Sequence, residues 1–406
     1  MDVASFNEYR VGNNTITLST FTSVYLRDEK EEHVMPDVLR VILLVYLPTI
    51  MVIGSTGNFL VIWIFCRTRC LRTPPNMMII NLALSDFMMI VTQFPIVLKS
   101  IIYYPWMIGD QVCQSAAFCG ALFGILSISS LTAIALDRHY VICSGSYLVR
   151  RVSYYRWLVM AMVVWSYSFF WAILPLFGIG KYVHEGYGVS CSFEYLDLSL
   201  HNRLYVGFLF VGGFLIPVSI ITVCYSRIVQ RVHSSRRALS GSCPSNTYLI
   251  KRKTEIKVAK LGFTLTMFFI ISWTPYATVA FIGEYINQDV ISPLVQTIPV
   301  VFAKSSAAWN PFIYAIAHRR FRDAFKTKFL PGVHILNKYS SFTTRLKNSG
   351  ASPPSPKSKS NEEENGCVQH QKSPSNEYHW KKMTLVTMKQ HDNCAEECCM
   401  PASSSV

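Results

Sequence analysis

The chain has 406 residues, of which 51% are hydrophobic and only 15% charged, with a formal net charge of +14. A soluble domain carries about 25% charged residues, so this composition excludes an ordinary soluble enzyme and points to a membrane protein. The basic residues gather in alternate loops and in the C-terminal part, a sidedness that excludes nucleic acid as the reason for the charge.

Residues 1–37 read as a polar extracellular tail. Asn13-Asn14-Thr15 is a glycosylation sequon on Asn13 if this tail lies outside the cell. The opening MDVASFNEYR lacks a short apolar core, so the first spanning helix is expected to act as its own insertion signal. Seven apolar runs follow, at 38–66, 75–99, 110–142, 155–178, 202–232, 254–284 and 290–316. Each is long enough to cross a bilayer, which takes about 20 apolar residues. The predicted fold is therefore an all-α membrane protein, a seven-helix bundle over 38–316. Lysine and arginine crowd alternate loops: Arg67, Arg69 and Arg72, then Arg138, Arg150, Arg151 and Arg156, then Arg227 to Lys253. This places the N-terminus outside and the C-terminus in the cytoplasm. Residues 317–329 carry Phe321, Ala324, Phe325 and Phe329 at helical spacing among basic residues, the pattern of an amphipathic eighth helix lying on membrane lipids. From 330 to 406 the chain is rich in Ser, Lys, Asn, Glu and Pro and is expected to be disordered. Ser340, Ser341, Thr343, Thr344, Ser352 and Ser355 stand beside lysines, where phosphorylation would reverse the charge.

The seventh run contains one charge, Lys304, near its middle. A lysine there costs about 2.5–3.5 kcal/mol and defaults to a functional hypothesis. It must face the protein interior and find a compensating acid or a chemical modification. The third helix offers no acid between Asp110 and Asp137, Asp86 lies deeper, and Glu284 belongs at a helix end. Cys113 and Cys191 both fall on the oxidising side and are expected to pair. That disulfide draws the second outer loop over the bundle and brings Glu185 within reach of Lys304, directly or through water, with Glu194 as the rival. Three further buried polar residues, Asn58, Asp86 and Asn310, sit at similar depth and are expected to form one hydrated network. Pro175, Pro217, Pro275 and Pro311 permit kinks. At the inner end of the third helix, Arg138 has Asp137 and Glu255 as candidate partners. No catalytic constellation and no metal-ligand set is expected.

With these residues assembled, the chain resembles an opsin of the rhodopsin-like class of G-protein-coupled receptors, over roughly 38–329. The motifs are Gly57-Asn58, LALSD ending at Asp86, Cys113 with Cys191, Asp137-Arg138-His139, Trp165, Pro217 with Tyr225, Ser272-Trp273-Thr274-Pro275, and Asn310-Pro311-Phe312-Ile313-Tyr314. The segments FCGALFGILSISSLTAIALDRHYVI and ISWTPYATVAFIG are most similar to melanopsin-type and invertebrate bistable opsins. The resemblance implies 11-cis-retinal bound as a protonated Schiff base to Lys304, with Glu185 as counterion, because Ala116 stands where vertebrate visual opsins carry theirs. It also implies Gly124, Phe214, Trp273 and Tyr276 in the retinal pocket. The switch residues it implies are Asp137, Arg138, Glu255, Tyr225, Asn310, Pro311 and Tyr314, with His318-Arg319-Arg320 in place of a coupling tripeptide. The implied function is light sensing in the plasma membrane through a heterotrimeric G protein, of the q class, with i/o or s coupling and retinal photoisomerase action as alternatives. Arrestin and a receptor kinase are the implied partners of the tail. Ser404-Ser405-Val406 has the form of a PDZ ligand. No cysteine closely follows the amphipathic helix, so the usual palmitoyl anchor is not expected there; Cys394, Cys398 and Cys399 lie farther along.

Overall fold

The computed structural model describes residues 8–11, 14–17, 34–104, 109–144, 154–239 and 246–329. Asn13, Arg150, Arg151 and everything from 330 onward, including the tail serines, cysteines and C-terminal tripeptide, lie outside the described residues. A short antiparallel pair, β1 (Glu8–Val11) and β2 (Asn14–Thr17), precedes the helices. The helices are α1 (Asp37–Arg67), α2 (Pro74–Ile102), α3 (Asp110–Cys143) and α4 (Tyr154–Ile173). After the hairpin β3 (Tyr182–Glu185) and β4 (Ser190–Phe193) come α5 (Leu200–Phe210), α6 (Ile216–Leu239) and α7 (Asn246–Tyr285). The chain then forms α8 (Pro293–Ser305), α9 (Asn310–Ala317) and α10 (Arg319–Phe329).

Among the described residues six helices are long and apolar enough to cross a membrane, one fewer than the seven apolar runs. The difference is the seventh run. It is cut into α8 and α9 by a 3-10 turn at Ser306–Ala308, so neither piece alone reaches spanning length. Pro311 explains the break. It has no N–H to return to the carbonyl four residues earlier, Ala307. That carbonyl is instead captured by Asn58, whose Nδ2 donates to it at 2.9 Å. A second break lies between α5 and α6, where Val211–Leu215 winds as a π-helix. In that register the Gly212 carbonyl faces residue 217, a proline; Tyr167 Oη donates to it at 2.7 Å.

The chain divides into two compact units, 1–62 with 74–318, and 63–73 with 319–406. In the first, α3 is the central element, packed on α2, α4, α6, α7 and both strands of the hairpin. Its residues from Leu122 to Ala135 are buried without interruption, which is why this run shows no polar stripe. Among the described residues of the second unit, α10 holds Phe321 stacked on Phe65 at 5.8 Å and Phe329 tilted against Trp63 at 5.5 Å.

Close helix approach is set by small residues. A Cβ on Gly54 would stand 2.4 Å from Ile90 Cδ1 and 2.8 Å from Ala308 Cβ. Overpacking of such a contact costs about 1–3 kcal/mol. Gly54→Val is therefore expected to lower the melting temperature in detergent by several degrees. Thr56→Val, on the exposed side of the same helix, should leave it unchanged.

Candidate functional site

The site begins with the hairpin. The disulfide between Cys113 on α3 and Cys191 on β4 draws the strands onto the bundle, where both cysteines are buried. The antiparallel register then sets His184 opposite Cys191 and Glu185 opposite Ser190. Directly opposed residues carry their side chains on the same face. So Glu185 and Ser190 stand side by side beneath the loop, over α8.

Lys304 is 8% exposed, in the last turn of α8. Its Nζ donates to Ser190 Oγ at 2.9 Å and reaches the Cys191 carbonyl at 3.5 Å. Among the described residues no carboxylate lies within the 4.0 Å of an ion pair with it. Glu185 is 3% exposed. Its Oε1 accepts from Tyr195 Oη at 2.8 Å, and Oε2 has no hydrogen-bond partner among the described residues. Burial pushes the Glu185 carboxyl up to about 7, while the Lys304 charge and the Tyr195 and Tyr276 hydroxyls pull it the other way. The two opposite charges thus sense each other through space, not by direct contact. Glu194 is turned aside: its Oε1 accepts from the Leu196 backbone N–H at 2.8 Å, closing its own turn. Glu284, expected at a helix end near water, is 1% exposed and accepts from Asn202 Nδ2 at 3.2 Å. Its burial corrects that expectation and follows from Asn202 reaching across from α5.

Lys304 lines a cavity enclosing about 990 Å³ of empty space, its mouth included. Gly124, Phe214, Trp273 and Tyr276 all line it. Gly124 is required by Trp273: a Cβ there would stand 2.9 Å from the indole Cη2. Trp273 stacks on Phe269 at 5.3 Å and donates from Nε1 to Ser306 Oγ at 3.1 Å, at the break in the seventh span. The Tyr276 hydroxyl hydrogen-bonds Ser192. Ala116 is buried but lies among neither the cavity walls nor the partners of Lys304.

Deeper in the bundle, Asn310 Nδ2 donates to Asp86 Oδ2 at 2.6 Å, and Ser127 Oγ donates to Asp86 Oδ1 at 3.1 Å. Asn58 does not bond Asp86; it ties α1 to the Ala307 carbonyl. The polar set therefore includes α3 through Ser127, a contribution absent from the sequence expectation. Tyr314 is fully buried, and Pro311 is packed against Gly57, where a Cβ would come within 2.9 Å of the ring. At the far end of α3, Arg138 is paired with Asp137 and, at 2.5 Å, with Glu255 on α7. Arg156 adds a second cation to Asp137 at 3.7 Å. Tyr225 meets Phe263 edge-on at 5.3 Å. His318 is buried and its N–H caps the Tyr314 carbonyl at 2.9 Å. Arg319 lies near Asp323 at 3.8 Å within α10, and Arg320 is exposed.

Ser190 and Tyr195 were not anticipated. Ser190 had a signal, since it adjoins the paired Cys191; Tyr195 had none, because its reach depends on the fold of the loop.

A family model described as 7 transmembrane receptor (rhodopsin family) matches residues 57–314. The melanopsin of Mus musculus is 40% identical over 288 residues, 70% of this chain and 55% of that protein. Melanopsin-A of Danio rerio is 37% identical over 337 residues, 81% of this chain and 57% of its own length. The crystal structure of squid rhodopsin superposes with a TM-score of 0.69 at 34% identity, covering 74% of this chain and 87% of that one. This chain belongs to the rhodopsin family of seven-transmembrane receptors and, within it, to the opsins. It is a multi-pass membrane receptor rather than an enzyme. It spans little more than half the length of the melanopsins it matches.

The elevated Glu185 carboxyl has a consequence for stability. Its folded value of about 7 lies above the ordinary 4.5, so folding takes up a proton between the two. Its contribution to stability is full below pH 4.5 and is lost as pH rises through about 7. The ligand-free protein should melt at progressively lower temperature from about pH 5 to about pH 8. Glu185→Gln should flatten that slope. A variant as steep as the parent would contradict this.

Proposed function

We propose that this opsin is a light-sensing receptor that binds retinal covalently at Lys304 and signals through a heterotrimeric G protein. The observation that carries the proposal is the Lys304 amine. It is buried, it lines an apolar cavity, and among the described residues no carboxylate lies within ion-pair distance of it. The residues present fit retinal: an amine for its aldehyde, apolar and aromatic walls for its polyene, and glycines that keep the space open. When bound as a protonated Schiff base, retinal supplies the absorption of visible light and the 11-cis to all-trans change of shape.

The chain's own residues supply the rest. Glu185 provides negative charge near Lys304 Nζ, whose own hydrogen bond goes to Ser190 Oγ. Tyr195 holds the Glu185 carboxylate in place. Phe214 and Tyr276 wall the cavity, and Trp273 closes its floor against Gly124. Pressure on Trp273 bears on Ser306 at the helix break and on α7, whose Pro275 lies two residues away. Motion of α7 carries Glu255 away from Arg138, which frees the inner face. Asp86, Asn310, Pro311 and Tyr314 couple the seventh span to that motion, with Asn58 holding α1 to it. The anion resides on the loop while Ala116 occupies α3, which favours a thermally stable, photoreversible product. Similarity to melanopsins favours the q class of G protein over i/o or s. We assign the N-terminal tail to the outside and the C-terminal tail, with its arrestin, kinase and PDZ contacts, to the cytoplasm of a plasma-membrane receptor.

Reconstitution with 11-cis-retinal is expected to give a visible absorption band that light shifts reversibly and that Lys304→Ala abolishes. Glu185→Gln should move the band into the ultraviolet near neutral pH. No visible band in the parent, with Lys304→Ala behaving identically, would refute retinal attachment.

Light should also drive nucleotide exchange on a q-class G protein. Glu255→Gln, which removes one of the two acids on Arg138, is expected to raise exchange in the dark. Light-driven isomerisation without exchange on any G-protein class would leave a photoisomerase.

A further inference from the structure

Glu185 ends β3, and what fixes the end of a strand is the turn that follows it. Here that turn is seated on α8. Gly186 has φ +63, a left-handed conformation suited to glycine. A Cβ on it would also stand 2.1 Å from Thr297 Oγ1 and 3.1 Å from the Pro293 carbonyl. The turn therefore lies directly against the first turns of the helix. Its backbone N–H donates to Gln296 Oε1 at 2.9 Å, while Gln296 Nε2 donates to the Ile291 carbonyl at 3.3 Å. The amide of Gln296 is thus held from both ends and its oxygen is presented to the loop. Gln296 also lines the second cavity bounded by His184, Glu185, Glu194 and Asp197, where among the described residues it is the wall contributed by α8. Gln296 and Lys304 are eight residues apart within the same helix.

We propose that Gln296 is a positioning residue for the Glu185 charge. By latching the Gly186 N–H to α8, it ties the loop carboxylate to the helix that carries Lys304, so that anion and amine keep one spacing when that helix shifts. The contact differs in kind from the disulfide, which anchors the hairpin to α3 at its other end. The inference deepens the retinal reading and rests on it for its spectroscopic consequence, but the latch itself does not.

Two measurements on the full chain test it. In the ligand-free protein, amide hydrogen exchange of a peptide spanning 182–189 should quicken about fivefold in Gln296→Met, the effect of one lost hydrogen bond. It should return towards the parent rate in Gln296→Glu, which keeps an acceptor oxygen. In the retinal-reconstituted protein, the alkaline midpoint at which the visible band is lost should fall by about half a pH unit or more in Gln296→Met. It should recover in Gln296→Glu. Unchanged exchange in Gln296→Met overturns the latch. Faster exchange with an unchanged alkaline midpoint overturns the positioning role and leaves a loop clamp alone. Should the parent itself show no visible band, the retinal reading fails, and the exchange measurement still decides whether the latch exists.

Discussion

Placing an amine at the centre of a spanning helix costs about 2.5–3.5 kcal/mol, and the outer half of this molecule is arranged around Lys304. The acid proposed to compensate it, Glu185, is not on a neighbouring helix. It is on a loop, and a loop carboxylate is useful only if the loop is as fixed as a helix. Three constraints fix it. The disulfide pins β4 to α3. The hairpin register pairs Glu185 with Ser190, the residue whose hydroxyl Lys304 touches. The Gly186 turn seats against α8. The carboxylate is buried, with one oxygen bonded to Tyr195 and the other without a hydrogen-bond partner among the described residues. A buried carboxylate left in this condition is poorly solvated, which is why its affinity for a proton rises. Two ill-solvated opposite charges near one another stabilise each other through low-dielectric surroundings without touching.

A second rule runs through the bundle, the satisfaction of carbonyls that prolines release. Pro311 orphans Ala307, and Asn58 captures that oxygen from α1. Pro217 leaves the Gly212 carbonyl without its π-register donor, and Tyr167 reaches it from α4. In a bilayer such carbonyls have no water to turn to. Each proline therefore recruits a polar side chain from another helix, and the break becomes a joint between two helices rather than a defect in one.

Much of this was legible in the chain. The seven apolar runs, the sided charge and the lone Lys304 follow from composition and period. Cys113 and Cys191 fall on one side of the membrane, and Glu185 near them was reachable by counting acids. What escaped depends on pairing across space. The β3–β4 register, which puts Ser190 rather than Glu185 against Lys304, is set by turn geometry that glycines at 186 and 188 permit but do not dictate. The division of the seventh run into α8 and α9 was half-visible: Pro311 announced a kink, yet the 3-10 turn precedes it, in a Ser-Ala stretch with no breaker of its own. The membership of Ser127 in the Asp86 set was hidden because α3 is buried on every side, so no periodicity singles out one face.

The seventh span is where the two halves meet. Gln296 holds the loop, Lys304 faces the cavity, Ser306 accepts from Trp273 on α7, Ala307 is bound by α1, and Asn310 reaches Asp86 on α2. These contacts run in order along one chain segment from the loop to the Asp86 set, with the 3-10 turn dividing Lys304 from Asn310. A continuous helix would pass any displacement of its outer end to its inner end as a rigid rod. A helix broken at Ser306–Ala308 instead has two short pieces joined where Trp273 and Asn58 both bind. Whatever moves Trp273 therefore acts at the joint itself. The outer piece is held by the loop and the inner piece by Asp86, and the joint between them by Trp273 and Asn58. On the proposed retinal reading, a change in the cavity would be converted there into a change in the angle between α8 and α9, the angle that sets where Asn310, Pro311 and Tyr314 lie.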